Sequence, residues 1–424
     1  MIQNFEEAVN WIHGRLRLGI KPGLERMKWM MERLGNPHLK INAVHIGGTN
    51  GKGSTLSFLR HILQEEGYTV GSFTSPYFEV FNERIAVNGK PAPEEDWTEL
   101  VNMIKPLADE LEDHELGGPT EFEVITAMMF YYFGEMKKVD FILIEVGLGG
   151  RFDSTNIVEP ICTCITSIGL DHVSILGDTY EDIAFEKAGI IKNETPLVLN
   201  VKHEGAKEVI LSQAEKMKAP VYEYGHQFTV RHQENSGVGE QFVYTDELQL
   251  KTSMSGYHQA ENASLAVTIA RLIKKNISKQ AIQAGLVKTY WPGRFEIISE
   301  DPLVIMDGAH NPEGIEMMMK TIQQKYSSRK IHFIFAAVSD KDLSQMISKL
   351  DQYADQITFT SFDFPRAAKA GQLYQISSHP HKKAIEGADW ISQLTPSENT
   401  VYMVTGSLYF LSGIYRTLKN KLNN

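Results

Sequence analysis

Residues 45–55 have the sequence HIGGTNGKGST, a glycine-rich segment that carries one lysine and then two hydroxyl side chains. The flanking patterns predict a short, mostly apolar strand over 41–46 and a helix over 54–66 with its leucines on one face. Glycines at such a strand-to-helix turn let the backbone aim successive N–H groups at an anion. The segment is therefore predicted to be a phosphate-binding loop in an α/β domain.

Each part of this loop has a predicted task in nucleotide binding. Lys52 would reach the β- and γ-phosphates, and a hydroxyl of Ser54 or Thr55 can face Mg²⁺. The strict pattern G-x-x-x-x-G-K-[ST] fails, because Ile46 stands at its first glycine and Gly53 follows the lysine. The segment is thus a variant P-loop, and the alternative is a glycine turn in an ordinary βα unit. The predicted nucleotide contacts are Gly48, Thr49, Asn50, Gly51, Lys52, Gly53, Ser54 and Thr55.

Composition indicates a globular metabolic enzyme with more than one domain. The chain has 424 residues, which exceeds one ordinary core, and 42% of them are hydrophobic. A net charge of -11 argues against a nucleic-acid-binding surface. No apolar run approaches the roughly 18 residues of a membrane span, and the acidic N-terminal helix pattern does not resemble a secretory signal. We expect a cytoplasmic monomer that uses small-molecule substrates and binds neither nucleic acid nor membrane.

Polar side chains stand at the ends of three further predicted strands. Ser75 follows a strand that ends at residue 73, Glu145 ends a buried strand, and His172 follows a third strand. Open α/β sheets place ligand groups at the carboxyl ends of their strands. A carboxylate there, downstream of a P-loop, is predicted to hold a catalytic metal. The alternatives are a turn hydroxyl for Ser75, a solvated strand end for Glu145 and a surface histidine for His172.

The pattern of elements changes in the second half of the chain. Short alternating runs between 228 and 252 predict a small antiparallel sheet, and TYWPGRFEII over 289–298 has the composition of an interdomain linker. Strand and helix then alternate again. The first of these later strands ends in DGAHNP, with Asp307 and His310, and the last ends in TGSLYF, with Ser407.

These patterns predict an α/β protein of two domains. The N-terminal domain, residues 1–294, is expected to hold the P-loop, a mostly parallel sheet and the small antiparallel sheet. The C-terminal domain, residues 295–424, is expected to be smaller and Rossmann-like. No second glycine-rich P-loop occurs in it.

Eight segments stand in the order that one enzyme family shows. They are GGTNGKGST, FTSPYFEVFNERI, EVGLGGRFDSTN, TSIGLDHVSILG, EKAGIIK, YHQAENASLA, PGRFE and DGAHNP. Together they resemble the folylpolyglutamate synthases, often bifunctional with dihydrofolate synthase, of the Mur ligase superfamily. The resemblance implies an ATP-dependent ligase that phosphorylates a folate carboxylate and joins the acyl phosphate to the amine of L-glutamate. It also implies two Mg²⁺ sites, with K⁺ as a further candidate ion.

The resemblance implies metal ligands as well. Ser75 and Glu145 would hold the first Mg²⁺, and Glu145, His172 and a carbamylated Lys187 would serve the second. On spacing alone Lys187 would be an ordinary solvated lysine. The residues implied to be catalytic are Lys52, Lys187, Asp307 and His310.

Further implied roles concern nucleotide and substrate. Asn262 would contact adenine, and Arg294, Asp307 and His310 would approach the phosphates and the incoming glutamate. The loop from Ser75 to Arg84 and the segment from Arg151 to Asp153 match regions that contact the pterin in bifunctional members. The implied substrate contacts are Ser75, Pro76, Arg84, Arg151, Asp153, His310 and Ser407.

Three alternatives stay open at this point. A synthase that acts only on tetrahydrofolates would share these motifs. A Mur ligase that adds an amino acid to a UDP-linked precursor would need a UDP-binding domain ahead of the P-loop, and only 46 residues precede Gly47. A non-catalytic P-loop nucleotide switch would not need polar residues at three strand ends or the segment DGAHNP.

Overall fold

The computed structural model describes residues 1–234, 237–245 and 247–422, which form two compact units. The first unit consists of Met1–Ile168, Leu176–Val230 and Asn262–Lys288. The second consists of Gly169–Ile175, Arg231–Glu261 and Thr289–Asn424. Both are built from strands and helices, so the predicted α/β class is confirmed.

The strands of the described residues are β1 (Ala43–Gly47), β2 (Val70–Phe73), β3 (Ile85–Val87), β4 (Lys90–Pro91), β5 (Phe141–Glu145), β6 (Cys162–Ile165), β7 (Leu197–Leu199), β8 (Val221–Glu223), β9 (Val230–Gln233), β10 (Gln241–Tyr244), β11 (Leu248–Lys251), β12 (Glu296–Glu300), β13 (Leu303–Asp307), β14 (Lys330–Phe335), β15 (Gln356–Phe359), β16 (Lys382–Ala384) and β17 (Thr400–Thr405).

The α-helices of the same residues are α1 (Phe5–His13), α2 (Glu25–Arg33), α3 (Lys52–Glu65), α4 (Glu94–Glu112), α5 (Glu121–Tyr131), α6 (Val173–Leu176), α7 (Tyr180–Ala188), α8 (Glu204–Lys216), α9 (Tyr257–Ile273), α10 (Lys279–Lys288), α11 (Pro312–Tyr326), α12 (Leu343–Tyr353), α13 (Ala370–Ile376) and α14 (Leu408–Leu422).

An eight-stranded sheet organises the first unit, with the strand order β4-β3-β2-β5-β1-β6-β7-β8. Strand β1 pairs in parallel with β5 and β6, and only β3 and β4 run antiparallel to their neighbours at one edge. The chain leaves β1 toward β2 but leaves β6 toward β7, in opposite directions across the sheet. The carboxyl ends of β1 and β6 therefore flank a switch point, which is where open α/β sheets bind ligands.

Two cores cover this sheet with helices. Helices α1, α2, α4 and α5 bury large side chains such as Trp97 and Phe130 together with residues of β2 and β5. Helices α7 and α8 form another core with β6 and β7. The central strands are buried along their whole length, as parallel strands covered on both faces must be.

A six-stranded sheet organises the second unit, with the order β12-β13-β17-β14-β15-β16. All of its pairings are parallel except that of β12 with β13. A separate three-stranded sheet has the order β11-β10-β9, and β10 pairs antiparallel with β11. The large mostly parallel sheet, the small antiparallel sheet and the second α/β sheet confirm the predicted fold class. The small antiparallel sheet was expected in the N-terminal domain, but β10 and β11 belong to the second unit.

Element boundaries differ from the sequence predictions by a few residues. The most informative error concerns the helix after the P-loop, which begins at Lys52 and not at residue 54. Gly51 has a φ of 91°, and this left-handed residue ends the loop and caps the helix two residues earlier than the apolar pattern indicates.

In the described part of the chain, no helix is long and apolar enough to cross a membrane.

Candidate active site

The backbone of the P-loop turns sharply at two glycines. Gly48 has a φ of 139° and Gly51 a φ of 91°, values that other residues rarely adopt. A Cβ on Gly48 would overlap the hydroxyl oxygen of Thr166, and a Cβ on Gly51 would lie 2.5 Å from Asn262 Oδ1. Both positions therefore require glycine, and Asn262 lies directly against the start of helix α3.

Hydroxyl groups that follow β6 hold the loop from one side. The Thr166 hydroxyl lies 2.7 Å from the Asn50 carbonyl oxygen, and Ser167 Oγ lies 2.9 Å from the same oxygen. The Thr49 N–H donates to the Ser167 carbonyl at 2.9 Å. Sequence reasoning missed Thr166 and Ser167, because only the pairing of β6 with β1 brings them to the loop.

Two lysines hold the loop through its carbonyls. Lys52 Nζ donates to the carbonyl oxygens of Gly48 and Thr49 at 3.1 and 3.3 Å, and Lys187 Nζ donates to Gly48 O at 3.1 Å. The lysines thus engage carbonyl oxygens of the loop. The first N–H groups of α3 have no acceptor within the helix, as at the start of any helix. Such a helix start is suited to bind phosphate.

Lys187 is a buried residue. It lies near the end of α7 with 5% of its surface exposed and reaches the P-loop. The interpretation of Lys187 as a solvated lysine was wrong, because helical spacing does not show that the loop around Gly150 packs against the end of this helix.

Oxygen groups near the loop suit a hard cation. Thr55 is fully buried, and its hydroxyl has no hydrogen-bond partner among the described residues. Ser54 is also buried. Glu145, 6% exposed, ends β5, and its Oε2 accepts the Ser75 N–H at 3.3 Å. The first unit thus brings the predicted ligands Ser75 and Glu145 together, since β2 and β5 are neighbours.

Protein side chains alone do not form a metal cage. Among the described residues, no group of three or more His, Cys, Asp and Glu side chains could hold a metal ion. Mg²⁺ in nucleotide sites commonly takes one or two protein ligands and completes its shell with phosphate oxygens and water. A hydroxyl, one carboxylate and substrate phosphates therefore fit Mg²⁺ chemistry.

Asp153 braces the loop 147–153. Its Oδ2 accepts the Leu148 N–H at 2.8 Å, and its Oδ1 accepts both the N–H, at 3.0 Å, and the hydroxyl of Thr155. Burial raises the pKa of Asp153, and these hydrogen bonds oppose the rise. The carboxylate is thus engaged with its own loop.

Aromatic rings lie close to Arg151 and to Gly147 in the same loop. The Arg151 guanidinium lies 4.0 Å from the centre of the Phe185 ring, and Phe122 lies against the backbone of Gly147. Arg84 is buried beside Glu121, with 3.7 Å between Nη2 and Oε1. Sequence reasoning missed Phe122, which has no polar group to mark it in the sequence.

Pro76 and Ser75 are half-buried in the first unit. They begin the segment that leads to Arg84, which stacks at 5.6 Å over the Tyr77 ring. The ion pair of Arg84 with Glu121 places this segment next to the N-terminus of α5.

In the second unit, Asp307 ties two predicted motifs together. Its carboxylate accepts the N–H groups of Phe295 and Ala309, both at 2.9 Å, and Arg294 donates to Gly308 O at 3.2 Å. Burial raises the pKa of Asp307, while Arg294 and the two N–H groups oppose the rise. Phe295 has a φ of 47°, which is strained for a bulky residue. PGRFE and DGAHNP are therefore joined by hydrogen bonds.

Asp171 contacts three basic residues of the second unit. It was not predicted as a site residue from the sequence. It pairs with Lys341 and lies 3.6 Å from His310 Nε2, and it accepts the His172 N–H at 2.8 Å. Burial acts to raise the pKa of Asp171, but the contacts with His310, Lys341 and His172 hold it well below its usual value. The structure thus groups His172 and His310 around one carboxylate.

Ser407 is buried at the start of α14, and its hydroxyl oxygen accepts the Tyr409 N–H at 3.2 Å. It follows β17, which lies beside β13, the strand that ends in Asp307. His310 and Ser407 therefore follow neighbouring strands of one sheet.

The chain matches known proteins along its whole length. Residues 46–270 match the Mur ligase middle domain, and residues 293–408 match the Mur ligase glutamate ligase domain. A relative from Bacillus subtilis (strain 168), named dihydrofolate synthase/folylpolyglutamate synthase, is 48% identical over 430 residues, which cover 99% of this chain and 100% of the relative.

Solved structures show the same fold. The folylpolyglutamate synthase of Thermotoga maritima has a TM-score of 0.85 and 33% identity, with 99% of this chain and 98% of that chain covered. E. coli FolC in complex with DHPP and ADP has a TM-score of 0.86 and 27% identity, with 98% of each chain covered. These similarities show that the chain belongs to the folylpolyglutamate synthase/dihydrofolate synthase family of the Mur ligase superfamily.

Proposed function

We infer that this protein is an ATP-dependent ligase that joins L-glutamate to the carboxylate of reduced folates and of dihydropteroate. One observation carries this inference: a P-loop held by Lys52, Lys187, Thr166 and Ser167 stands in a chain that is 48% identical to a dihydrofolate synthase/folylpolyglutamate synthase. The FolC relative was solved with ADP and DHPP, which supports binding of a nucleotide together with a second small molecule on the same fold.

The reaction needs an activated acyl group, because a carboxylate has no leaving group that an amine can displace. A carboxylate oxygen of the folate attacks the γ-phosphorus of ATP, and ADP leaves. The glutamate amine then attacks the acyl carbon, and phosphate leaves with the former carboxylate oxygen. The attacking neutral amine loses one of its two protons to solvent and keeps the other, so an amide, ADP and phosphate are the products.

Lys52 and the first N–H groups of α3 would stabilise charge on the transferred phosphoryl group. We propose that the nucleotide contacts are those of the P-loop with Asn262 and Arg294. Asp307 would hold the turn that carries Arg294, since its carboxylate is committed to the N–H groups of Phe295 and Ala309.

Mg²⁺ would be held by Ser75 and Glu145, with a P-loop hydroxyl. Bound there, it would neutralise charge on the phosphates. Glu145, His172 and a carbamylated Lys187 are the proposed ligands and neighbours of a second Mg²⁺.

Two groups of residues would recognise the organic substrates. His310 and Ser407, at the ends of neighbouring strands, would bind the incoming glutamate. Pro76, Arg84 and Arg151 would contact the folate, while Asp153 would shape the loop 147–153 from within, because its oxygens accept hydrogen bonds from that loop.

The test is a ligation assay with ATP, L-glutamate and either dihydropteroate or tetrahydrofolate. ADP release should require both glutamate and the pteridine substrate, and product analysis should detect dihydrofolate in the first reaction and a glutamylated folate in the second. A chain that makes only the second product would be a polyglutamate synthase alone. Continuous ADP release that needs neither glutamate nor the pteridine substrate would instead support a nucleotide switch.

A further inference from the structure

A buried hydrogen-bond chain connects the strand that leads into the P-loop with the loop 147–153. His45, in β1, is fully buried, and its Nε2 lies 2.8 Å from the hydroxyl oxygen of Thr155. The Thr155 hydroxyl in turn donates to Asp153, whose carboxylate also accepts the Leu148 N–H. His45 thus reaches the loop through two side chains of the first unit.

With Asp153 ionised, each hydrogen bond in this chain has one possible direction. An ionised carboxylate only accepts, so the Thr155 hydroxyl must give its proton to Asp153. The Thr155 oxygen can then only accept from His45, which therefore carries its proton on Nε2. Burial, and next the charge of Lys192, lower the pKa of His45 to about 3, so the ring is neutral at physiological pH.

A core position does not require a histidine here. Among the described residues, Nδ1 of His45 has no hydrogen-bond partner, and a buried unpaired acceptor destabilises the fold. An apolar side chain would avoid this cost. What His45 supplies is the Nε2–H donor, two residues before the P-loop begins at Gly47.

The loop that this donor supports carries the residues proposed to contact the folate. Asp153 ends it, Arg151 lies within it, and its first residue, Gly147, packs against the Phe122 ring at a distance that leaves no room for a Cβ. A displaced Asp153 would release the Leu148 N–H and change the loop on the side that faces Phe122.

We propose that His45 is a positioning residue that, through Thr155, sets the loop 147–153 for folate binding. The inference rests on the proposed folate ligase function. His45 touches no substrate in this scheme. It acts on the affinity for the folate substrate, while the cradle that binds ATP is held separately by Lys52, Lys187, Thr166 and Ser167.

The test compares steady-state constants of Thr155→Val and Thr155→Ser with wild type. Thr155→Val keeps the shape but removes the hydroxyl, and we expect the KM for dihydropteroate to rise about tenfold, the effect of one lost buried hydrogen bond. The KM for ATP should stay within about twofold. Thr155→Ser restores the hydroxyl and should return the KM for dihydropteroate to within about twofold of wild type.

A second pair addresses the donor itself. His45→Leu removes it, whereas His45→Gln places an amide N–H near the position of Nε2. The leucine variant should show the same selective rise in the KM for dihydropteroate, and the glutamine variant should show less than half of it. If Thr155→Val does not fold, this pair decides the matter.

Thr268→Val is the matched control, because it also removes a buried threonine hydroxyl of the first unit, one that donates to Ser264 O within α9. It should leave both KM values unchanged. Equal changes in the two KM values, or the same selective rise in Thr268→Val, would overturn the inference. Wild type without glutamate-dependent ADP release would overturn the proposed function instead, so the two failures are distinguishable.

Discussion

Two ammonium groups converge on one peptide oxygen of the P-loop. Lys52 Nζ and Lys187 Nζ each lie 3.1 Å from Gly48 O, although one lysine begins α3 and the other ends α7. Two cations near the N-terminus of helix α3 strongly favour a polyanionic ligand. They also repel each other, so converting one of them into an anionic carbamate would relieve that repulsion.

The first prediction concerns Lys52. Lys52→Ala should lower kcat for ligation by at least about 100-fold, because it removes charge that stabilises the transferred phosphoryl group. The free energy of unfolding should fall by no more than about 1–2 kcal/mol, since the side chain is half-buried and donates hydrogen bonds to two loop carbonyls. Steady-state kinetics and denaturant unfolding measure both quantities.

The matched control is Lys90→Ala, which removes an exposed lysine of β4 in the same unit. It should leave both quantities unchanged. Near-normal ligation by Lys52→Ala would refute the phosphate assignment of this loop.

The second prediction concerns carbamylation of Lys187. Removing CO₂ should lower the activity of wild type, and bicarbonate should restore it. Lys187→Ala should lose most activity and all dependence on CO₂, and short carboxylic acids should restore part of the activity by occupying the vacated space. Carbon-13 bicarbonate should give wild type a carbamate signal by NMR that Lys187→Ala lacks.

Lys192→Ala is the control for that experiment, because the Lys192 amine also donates to a backbone carbonyl, that of Asn156. It should keep the wild-type dependence on CO₂ and gain nothing from short acids. Full activity of Lys187→Ala would leave the lysine as a support of the Gly48 carbonyl alone.

Among the secondary-structure elements, α3 shows what the sequence can and cannot predict. Its apolar pattern and its lysine reveal the strand-loop-helix unit, since those signals are local. Its start at Lys52 depends on the left-handed Gly51, and its supports Thr166 and Ser167 depend on which strand pairs with β1. Strand pairing joins segments that are far apart in the sequence. Contacts between such segments therefore cannot be predicted from a single sequence.

Ion pairs between distant segments are also non-local, so the sequence does not reveal them. Asp171 and His172 are adjacent in the sequence, but Lys341 and His310 reach Asp171 only through the fold of the second unit. The residues Ser75, Glu145 and Asp307 were predicted because a strand end marks them locally. Asp153 was predicted as a substrate contact by resemblance. Its hydrogen bonds to the Leu148 and Thr155 N–H groups depend on how the loop folds, which the sequence does not show.

The third prediction concerns the packing of α10 on α3. A Cβ on Gly285 would lie 2.6 Å from the backbone nitrogen and Cα of Ile62, so Gly285→Ala must push the two helices apart. We expect a loss of about 1–3 kcal/mol in the free energy of unfolding and a higher KM for ATP, because α3 carries the P-loop at its start.

Gly413→Ala is the control for this helix contact. Gly413 is also within a helix, α14, but has open space where the Cβ would stand. The variant should be neutral or more stable by up to about 1 kcal/mol, since alanine is the better helix former. Equal stability of Gly285→Ala and wild type would contradict the close packing.

For the whole molecule, one buried and two half-buried histidines with lowered pKa values predict sensitivity to acid. Burial lowers the pKa of His45 to about 3 and those of His61 and His332 to about 4, from an ordinary value of 6.5. Between these values the unfolded chain binds protons that the folded chain does not, so stability falls as the pH falls below 6.5. At pH 5 each histidine should cost about 2 kcal/mol relative to pH 7.

Denaturant unfolding at pH 7 and pH 5 measures this loss. His61→Gln should reduce the difference between the two pH values by about 2 kcal/mol, because glutamine does not titrate. His226→Gln, which replaces a mostly exposed histidine, should leave the difference unchanged. A wild type with the same stability at both pH values would mean that these imidazoles can be protonated in the folded state.

The two compact units divide the proposed chemistry between them. The first contains the P-loop, Ser75, Glu145, Lys187 and the loop 147–153, and the second contains His172, Arg294, Asp307, His310 and Ser407. The Mur ligase middle domain and the glutamate ligase domain match successive parts of the chain. The residues proposed for ATP-dependent activation and for glutamate binding therefore belong to both parts of the sequence.

The fate of one oxygen atom tests the central claim most directly. Dihydropteroate labelled with oxygen-18 in its carboxylate is incubated with ATP, L-glutamate and the enzyme, and the released phosphate is analysed by mass spectrometry. Ligation through an acyl phosphate predicts one labelled oxygen in each phosphate, with ADP and dihydrofolate formed in equal amounts. Unlabelled phosphate, or continuous ADP formation that does not need dihydropteroate, would contradict the account.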